Sequence, residues 1–184
     1  MQKSLYELHM EYWGQLYKHW VSEEVLSFAW FFNIAFLLVF YVVWIKLVDK
    51  RRLRDLLLFG SLIAVVATFL DIVAVTIGLW EYKVRLFPLG TAPFPFDFTI
   101  IPILYMLVLQ YTSTWRSYLT GSLLASSLIA FAIIPVYVLL GKEQYHNFNY
   151  FYMFILIFVV TTIIKAIYNW IANIEHKNAL NKVK

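Results

Sequence analysis

Two aspartates stand in an otherwise apolar part of the chain, at a spacing that could support acid–base chemistry. Asp71 lies inside a long apolar run, and Asp97 opens the next run after a loop that contains proline and glycine. Trp80 and Tyr82 lie between the two acids. An ionised carboxylate in an apolar setting is costly, so a carboxyl there is neutral, paired or hydrated. We therefore expect this stretch to form an acidic pocket with aromatic walls.

The composition identifies a membrane as the setting of these acids. Of the 184 residues, 62% are hydrophobic and only 14% are charged, and the mean hydropathy is +0.71. These values are typical of an integral membrane protein, here a single membrane domain over residues 1–184. The basic residues that give the net charge of +4 cluster at the ends of apolar runs, as contact with lipid headgroups requires, so no nucleic-acid partner is expected.

Hydrophobic patterning predicts an all-α integral membrane protein with about five transmembrane helices. In residues 1–24, apolar side chains recur at helical spacing between charged ones, which predicts a short amphipathic helix lying in the membrane interface. Ser4 and Glu7 have the spacing of a capping box at its start. The predicted spans cover residues 25–47, 56–80, 96–112, 118–140 and 149–170.

The distribution of lysine and arginine predicts the orientation of the chain. Ten of these residues fall on one side of the predicted spans and five on the other, where the segments are longer. Basic loops are retained in the cytoplasm. We therefore expect the N-terminus and the 81–95 loop to lie outside and the C-terminus to lie in the cytoplasm.

Small residues predict which face of the second span packs against other helices, because small side chains let helices approach closely in a bilayer. Ala64, Ala67, Asp71, Ala74 and Gly78 follow one another at steps of three and four residues. They form one stripe on a helix, so the carboxyl of Asp71 should point into the bundle.

Other polar and aromatic residues could contribute to the same pocket or could simply stabilise helix packing. Arg85 could pair with Asp97 or with Glu81. Tyr105 lies eight residues after Asp97, on the same helix face. Asn33 is most simply an interhelical hydrogen-bonding group. The histidines are scattered without the spacing of metal ligands, and neither a metal nor a cofactor is expected; they are His9, His19, His146 and His176.

One known motif resembles this stretch. Asp71, Ala74, Gly78, Trp80 and Tyr82 form the pattern D-x-x-A-x-x-x-G-x-W-x-Y, and an acid follows two residues after a proline at position 95. The pattern resembles the membrane lycopene cyclase domain, the small-subunit type of bacterial heterodimeric carotenoid cyclases. In that family an Asp-containing helix ends in G-x-W-x-[FY] and a P-x-E-E motif opens the next helix. This chain departs from the family at the second acid, which is Phe98 here.

The resemblance implies an isoprenoid cyclase that needs no cofactor, in a bacterial cytoplasmic membrane. It implies Asp97 as the proton donor and Asp71 as its partner. It also implies an isoprenoid or other lipid as ligand, and association with a further copy of the chain or with another membrane subunit. The residues expected to contact the lipid are Trp80, Tyr82, Arg85, Phe98, Tyr105 and Asn33. The whole chain is also similar to a group of small multi-spanning membrane proteins of Bacillus-like and Clostridium-like bacteria, from which no activity follows.

Three functions stay open from the sequence. The first is a polytopic membrane protein that binds an isoprenoid or other lipid in an acidic pocket, and the second is a proton-initiated isoprenoid cyclase that uses Asp97 and Asp71. The third is a small proton-coupled transporter with Asp71 as a proton relay, which the absence of inverted repeats disfavours.

Overall fold

The computed structural model describes residues 3–90, 94–141, 143–146 and 149–181. Helices make up most of this part of the chain, and two short strands complete it. The helices are α1 (Leu5–His19), α2 (Phe28–Leu47), α3 (Leu53–Thr76), α4 (Phe96–Tyr111), α5 (Trp115–Leu139) and α6 (Tyr150–Asn181), and the strands are β1 (Trp80–Tyr82) and β2 (Glu143–Tyr145).

Four of the helices, α2, α3, α5 and α6, are long and apolar enough to cross a membrane. Helix α4 is also apolar but shorter. The predicted class, a helical integral membrane protein, is therefore confirmed. Two of the charges counted for the orientation, Lys182 and Lys184, and a third, Lys142, lie outside the described residues.

Helix α1 begins with the predicted capping box. The Ser4 hydroxyl accepts a hydrogen bond from the Glu7 backbone N–H at 3.2 Å, and the Glu7 carboxylate accepts one from the Ser4 N–H at 2.8 Å. Leu16 is the buried residue of this helix, and most of its other side chains are exposed. A helix with so little burial against the protein is suited to lie against a membrane surface.

Helix α3 ends earlier than the sequence analysis predicted. Its last residue is Thr76, and Gly78 follows with a positive φ of 75°, a backbone conformation that glycine adopts without steric cost. The predicted packing stripe is correct at Ala64, Asp71 and Ala74, which are buried. It is wrong at Gly78, which is exposed because it belongs to the turn that ends the helix.

Helix α4 opens with a π-helical turn over Phe96–Ile100, just before Pro102. Proline has no N–H to donate to the carbonyl four residues earlier, that of Phe98. The Tyr41 hydroxyl of α2 donates to this carbonyl at 3.2 Å instead. The hydrogen bond missing at Pro102 therefore accompanies a wide turn in which Asp97 lies.

Helix α5 packs its small polar residues into the interior. Ser122 and Ser126 are fully buried, and Ala130 lies in a second π-helical turn, Ile129–Ile133. The Tyr105 hydroxyl of α4 forms a 2.6 Å hydrogen bond with the Ser126 hydroxyl. Helices α4 and α5 are thereby joined by a buried polar contact as well as by apolar packing.

A two-stranded antiparallel ladder, which the sequence analysis did not predict, joins the loop after α3 to the loop before α6. Trp80 lies opposite Tyr145, Glu81 opposite Gln144, and Tyr82 opposite Glu143. The His146 N–H also donates to the Leu79 carbonyl at 3.0 Å. We call the end of the bundle that carries this ladder the loop side.

Candidate functional site

A cavity of about 70 Å³ lies between α3, α4, α5, α6 and the ladder. Three carboxyl side chains line it, one from α3, one from α4 and one from β2. Aromatic and aliphatic side chains form the rest of its wall. We call this cavity the acid pocket; its acids are Asp71, Asp97 and Glu143, and its aromatic residues are Trp80, Tyr82, Phe96 and Tyr145.

Asp71 is the best hydrogen-bonded acid of the pocket. The Tyr82 hydroxyl donates to its Oδ1 at 2.7 Å, and the Trp80 indole N–H donates to the same oxygen at 3.0 Å. The second oxygen, Oδ2, is buried without a partner among the described residues. These two donors hold the carboxyl in place and stabilise its ionised form against the cost of burial. The predicted association of Asp71, Trp80 and Tyr82 is thus present in the structure.

Asp97 differs from Asp71 in having no hydrogen-bond donor among the described residues. Only 4% of the residue is exposed, and its Oδ2 is buried without a partner among the described residues. An ionised Asp97 carboxylate would be neither solvated nor paired among the described residues, so the protonated form has the lower free energy. Asp97 is therefore suited to hold a proton, and Asp71, with its two hydrogen-bond donors, is suited to accept one.

Glu143 is the third acid, and the sequence analysis missed it. Its residue is 5% exposed, Oε1 accepts a hydrogen bond from the Tyr145 hydroxyl at 2.9 Å, and Oε2 has no partner among the described residues. Burial raises the pKa of this carboxyl to about 8, and the charge of Asp71 adds to the rise, although the hydrogen bond from Tyr145 opposes it. Nothing in the sequence around a lone glutamate in a short loop distinguishes it from an ordinary solvated acid.

The pKa values of two residues of strand β1, Tyr82 and Glu81, differ in opposite ways from their usual values. Burial raises the pKa of the Tyr82 hydroxyl well above its usual value, and the charges of Glu143, Asp71 and Asp97 raise it further. Tyr82 therefore remains a hydrogen-bond donor at any ordinary pH. On the opposite face of the same strand, the hydrogen bond from Lys83 lowers the pKa of Glu81, which is solvated and ionised.

A second cavity, which we call the lateral groove, opens on the membrane-facing surface between α3 and α6. Its volume is about 380 Å³ and its walls are apolar. Leu70, Trp80 and Leu156 line both the lateral groove and the acid pocket. The two spaces are therefore separated by no more than a single layer of side chains, with the Trp80 indole among them.

Arg85 lies outside the acid pocket, in a clasp between the N-terminal segment and the loop after β1. Its guanidinium donates to Glu24 Oε1 at 2.6 Å, and its backbone N–H donates to Glu24 Oε2 at 2.6 Å. The predicted pairing with Asp97 or Glu81 is wrong, because the buried Glu24 carboxylate accepts hydrogen bonds from the guanidinium and from the backbone N–H of Arg85. The Trp20 indole donates to the Arg85 carbonyl at 3.0 Å, and the Asn33 amide lies 3.5 Å from the Val84 carbonyl.

The other predicted lipid contacts also lie away from the acid pocket. Phe98 is 41% exposed and stacks with Phe94 at a centroid distance of 5.3 Å, whereas its neighbour Phe96 lines the pocket. Tyr105 is fully buried in its contact with Ser126. Both phenylalanines belong to the π-helical turn, and of the two only Phe96 lines the acid pocket.

The fold and the site define a helical membrane protein with an aromatic pocket that contains three buried acids. Comparison of the chain with protein-family models, with curated protein sequences and with solved structures finds no match. The site must therefore be interpreted from its own chemistry.

Proposed function

We propose that this protein binds the apolar chain of a membrane lipid, and that an isoprenoid is the class of chain that fits the acid pocket. The observation that carries the proposal is a buried, largely apolar pocket that holds carboxyls with unpartnered oxygens and lies beside a groove on the membrane face. A ligand that entered the pocket from water would not need a groove that opens toward the membrane. The resemblance to the lycopene cyclase domain over residues 71–98 points to the same class of ligand.

Size supports a chain over a compact ligand. The acid pocket, at about 70 Å³, has room for the end of a slender chain, and the lateral groove, at about 380 Å³, has room for a longer part of it. A saturated acyl chain offers nothing to a carboxylic acid, whereas an alkene presents a π face that an O–H can approach as a weak donor. An unsaturated isoprenoid therefore uses the acids that a saturated acyl chain would leave unpaired.

We infer that α4 crosses the membrane together with the four longer helices, which makes five spans. The paired strands β1 and β2 must lie on one side of the membrane, so the chain between them crosses an even number of times. Because α5 is long enough to cross, α4 must cross as well. With the loop side outside, as the basic residues predict, the N-terminus is outside and the C-terminus is cytoplasmic.

Mass spectrometry of the lipids that co-purify with the protein in mild detergent tests the binding proposal. Val73 is 41% exposed and lines the lateral groove, whereas Ile72 is 45% exposed and does not line it. Val73→Trp should fill the groove and lower the retained isoprenoid at least several-fold, and Ile72→Trp is the matched control. Equal lipid in both variants, or bulk phospholipid alone in the parent protein, would contradict the proposal.

A second candidate, proton-initiated isoprenoid cyclisation, is favoured by the contrast between Asp71 and Asp97. The Asp97 carboxyl would give its proton to one carbon of a terminal alkene. The π electrons of a second alkene would then attack the resulting cation and close a ring. Asp71 would remove a proton from the ring and leave a new double bond, so that the product is an isomer of the substrate. Aromatic faces such as that of Trp80 can stabilise the intermediate cation.

Asp97→Asn separates the two candidates. It should abolish ring formation from a supplied linear polyene while leaving lipid retention near the parent level, because the amide keeps the shape of the side chain. Asp55→Asn is the matched control, since Asp55 is a half-exposed acid of α3 beside Arg54. Lipid retention without any cyclised product in the parent protein would leave binding as the function and reject the enzyme.

A further inference from the structure

Glu143 lies between the acid pocket and a third cavity. This cavity, of about 600 Å³, is an open groove at the loop side, and we call it the polar groove. It is lined partly by polar side chains, His19, Glu24 and Lys83 among them. Glu143 is the only acid that lines both spaces among the described residues.

We propose that Glu143 carries protons between water in the polar groove and the acids of the acid pocket. The inference deepens the proposed function, because it concerns the same pocket, but it does not depend on which lipid is bound. It gives the buried acids a path to water that avoids the lateral groove. A proton from water would bind to Glu143 Oε2 and pass on to the Asp71 carboxylate, which leaves Glu143 ionised and ready for the next proton.

The contacts of Glu143 suit this role. Oε1 is held by the Tyr145 hydroxyl, which orients the carboxyl, whereas Oε2 has no partner among the described residues. The strand pairing sets Tyr82 opposite Glu143, and the Tyr82 hydroxyl reaches Asp71. The acid pocket also has room for water, since one molecule needs roughly 10–15 Å³. A short bridge from Glu143 to Asp71 is therefore available.

The charges around Glu143 allow both protonation states near neutral pH. Its pKa of about 8 reflects burial first and then the charge of Asp71. The ionised form faces further acids from several elements, and Lys83 lines the polar groove beside it. The groups that surround it are Asp71 of α3, Tyr82 and Lys83 at β1, Asp97 of α4, Tyr137 of α5, Tyr145 of β2, and His19, Glu23 and Glu24 of the N-terminal segment.

A purely structural Glu143 would hold the ladder in place without affecting how protons reach the pocket. Infrared spectroscopy distinguishes the two roles, because the C=O stretch of a protonated carboxyl shifts when its proton exchanges for deuterium. The band that disappears in Asp97→Asn identifies the protonated Asp97. The purified, lipid-free protein is transferred into D₂O. The rate at which the Asp97 band then shifts measures how fast protons exchange between water and the pocket.

Glu143→Gln should slow this exchange at least tenfold, and Glu81→Gln, on the solvated face of the neighbouring strand, should leave it unchanged. Because Glu143→Gln could fail to fold, a second variant uses the fact that the chain has no cysteine. Gln144→Cys places a single thiol at an exposed position of the polar groove, and a bulky maleimide there should slow exchange similarly.

Exchange at the parent rate in Glu143→Gln, or in labelled Gln144→Cys when Glu143→Gln does not fold, would overturn the proposal. So would the absence of a protonated carboxyl band that Asp97→Asn removes. Because no lipid takes part, a protein that retains no isoprenoid but still shows slowed exchange would reject the proposed function and keep this inference.

Discussion

Tyr82 and Glu143 lie directly opposite each other in the antiparallel ladder, although one follows α3 and the other precedes α6. Through this pairing the Tyr82 hydroxyl can donate to Asp71 while Glu143 lines the same pocket from the neighbouring strand. The acid pocket thus depends on two loops as much as on the helices.

Stability should fall with rising pH because of Glu143. Its pKa is about 8 in the folded protein, against 4.5 for an ordinary glutamate, so the folded state binds the extra proton between these values. The stability it contributes is complete below the unfolded pKa and is lost as the pH rises through the folded pKa. Glu143→Gln should therefore be the more stable protein at about pH 9 and lose its advantage at about pH 5.

The free energy of unfolding in mixed micelles, measured at both pH values, checks this expectation. Glu81→Gln is the control with the opposite sign, because the hydrogen bond from Lys83 lowers the pKa of Glu81. Any contribution of Glu81 is present at high pH and is lost as the pH falls through its folded pKa. A parent and a Glu143→Gln variant with parallel pH profiles would contradict the burial of Glu143.

Tyr82→Phe should destabilise the protein by about 1–3 kcal/mol, because it removes a buried donor from the Asp71 carboxylate. In an Asp71→Leu background the same change should cost much less, since the acceptor is already gone. A double-mutant cycle of unfolding free energies measures the difference. Additive effects would show that the two side chains do not interact, and Tyr6→Phe at an exposed site serves as the control.

Glu24→Gln should destabilise the protein strongly, by about 3–5 kcal/mol, because it leaves the buried Arg85 guanidinium without its counter-charge. The exposed pair Lys3–Glu11 provides the comparison, and Glu11→Gln should cost at most about 1 kcal/mol. The free energy of unfolding measures the loss of stability in each variant. Protease cleavage of the loop after β1 reports whether the clasp still holds that loop. Similar small losses in both variants would mean that the clasp contributes little.

Gly60→Ala should be destabilising although alanine is the better helix former. An added Cβ would lie 2.7 Å from Met106 Sδ and 3.0 Å from its Cγ, so the buried Met106 side chain must move out of its place between α3 and α4. Met106→Ala should remove the penalty. Gly14→Ala, with no atom within 4 Å of its added Cβ, should instead stabilise the chain by about 0.5–1 kcal/mol. A stabilising Gly60→Ala would show that α3 and α4 are less closely packed.

The sequence was informative where a single helix decides the outcome. The small-residue spacing around Asp71 correctly predicted a buried carboxyl, and Ser4 with Glu7 correctly predicted a capping box. Both patterns act within a few residues of one helix, where side-chain directions follow from the 3.6-residue period. The aromatic residues Trp80 and Tyr82 were expected beside Asp71, although they reach it from a strand rather than from the end of a helix.

The sequence was uninformative where distant segments meet. Glu143 enters the pocket only because its strand pairs with β1, and Arg85 is neutralised by Glu24 from the N-terminal segment. Neither pairing has a local signal, because each short polar segment alone resembles a solvated loop. At the start of α4, Phe96 lines the pocket in place of the expected Phe98, and the sequence around them gives no sign of which of the two faces inward.

The ladder between β1 and β2 also sets an order of assembly. Synthesis proceeds from the N-terminus, so Asp71, Trp80, Tyr82 and Asp97 have been made before the strand with Glu143. Until β2 pairs with β1, the loop side of the pocket has no wall at this position. The three acids therefore come to share one pocket only when the last loop has been made, and maturation of the site coincides with completion of the bundle.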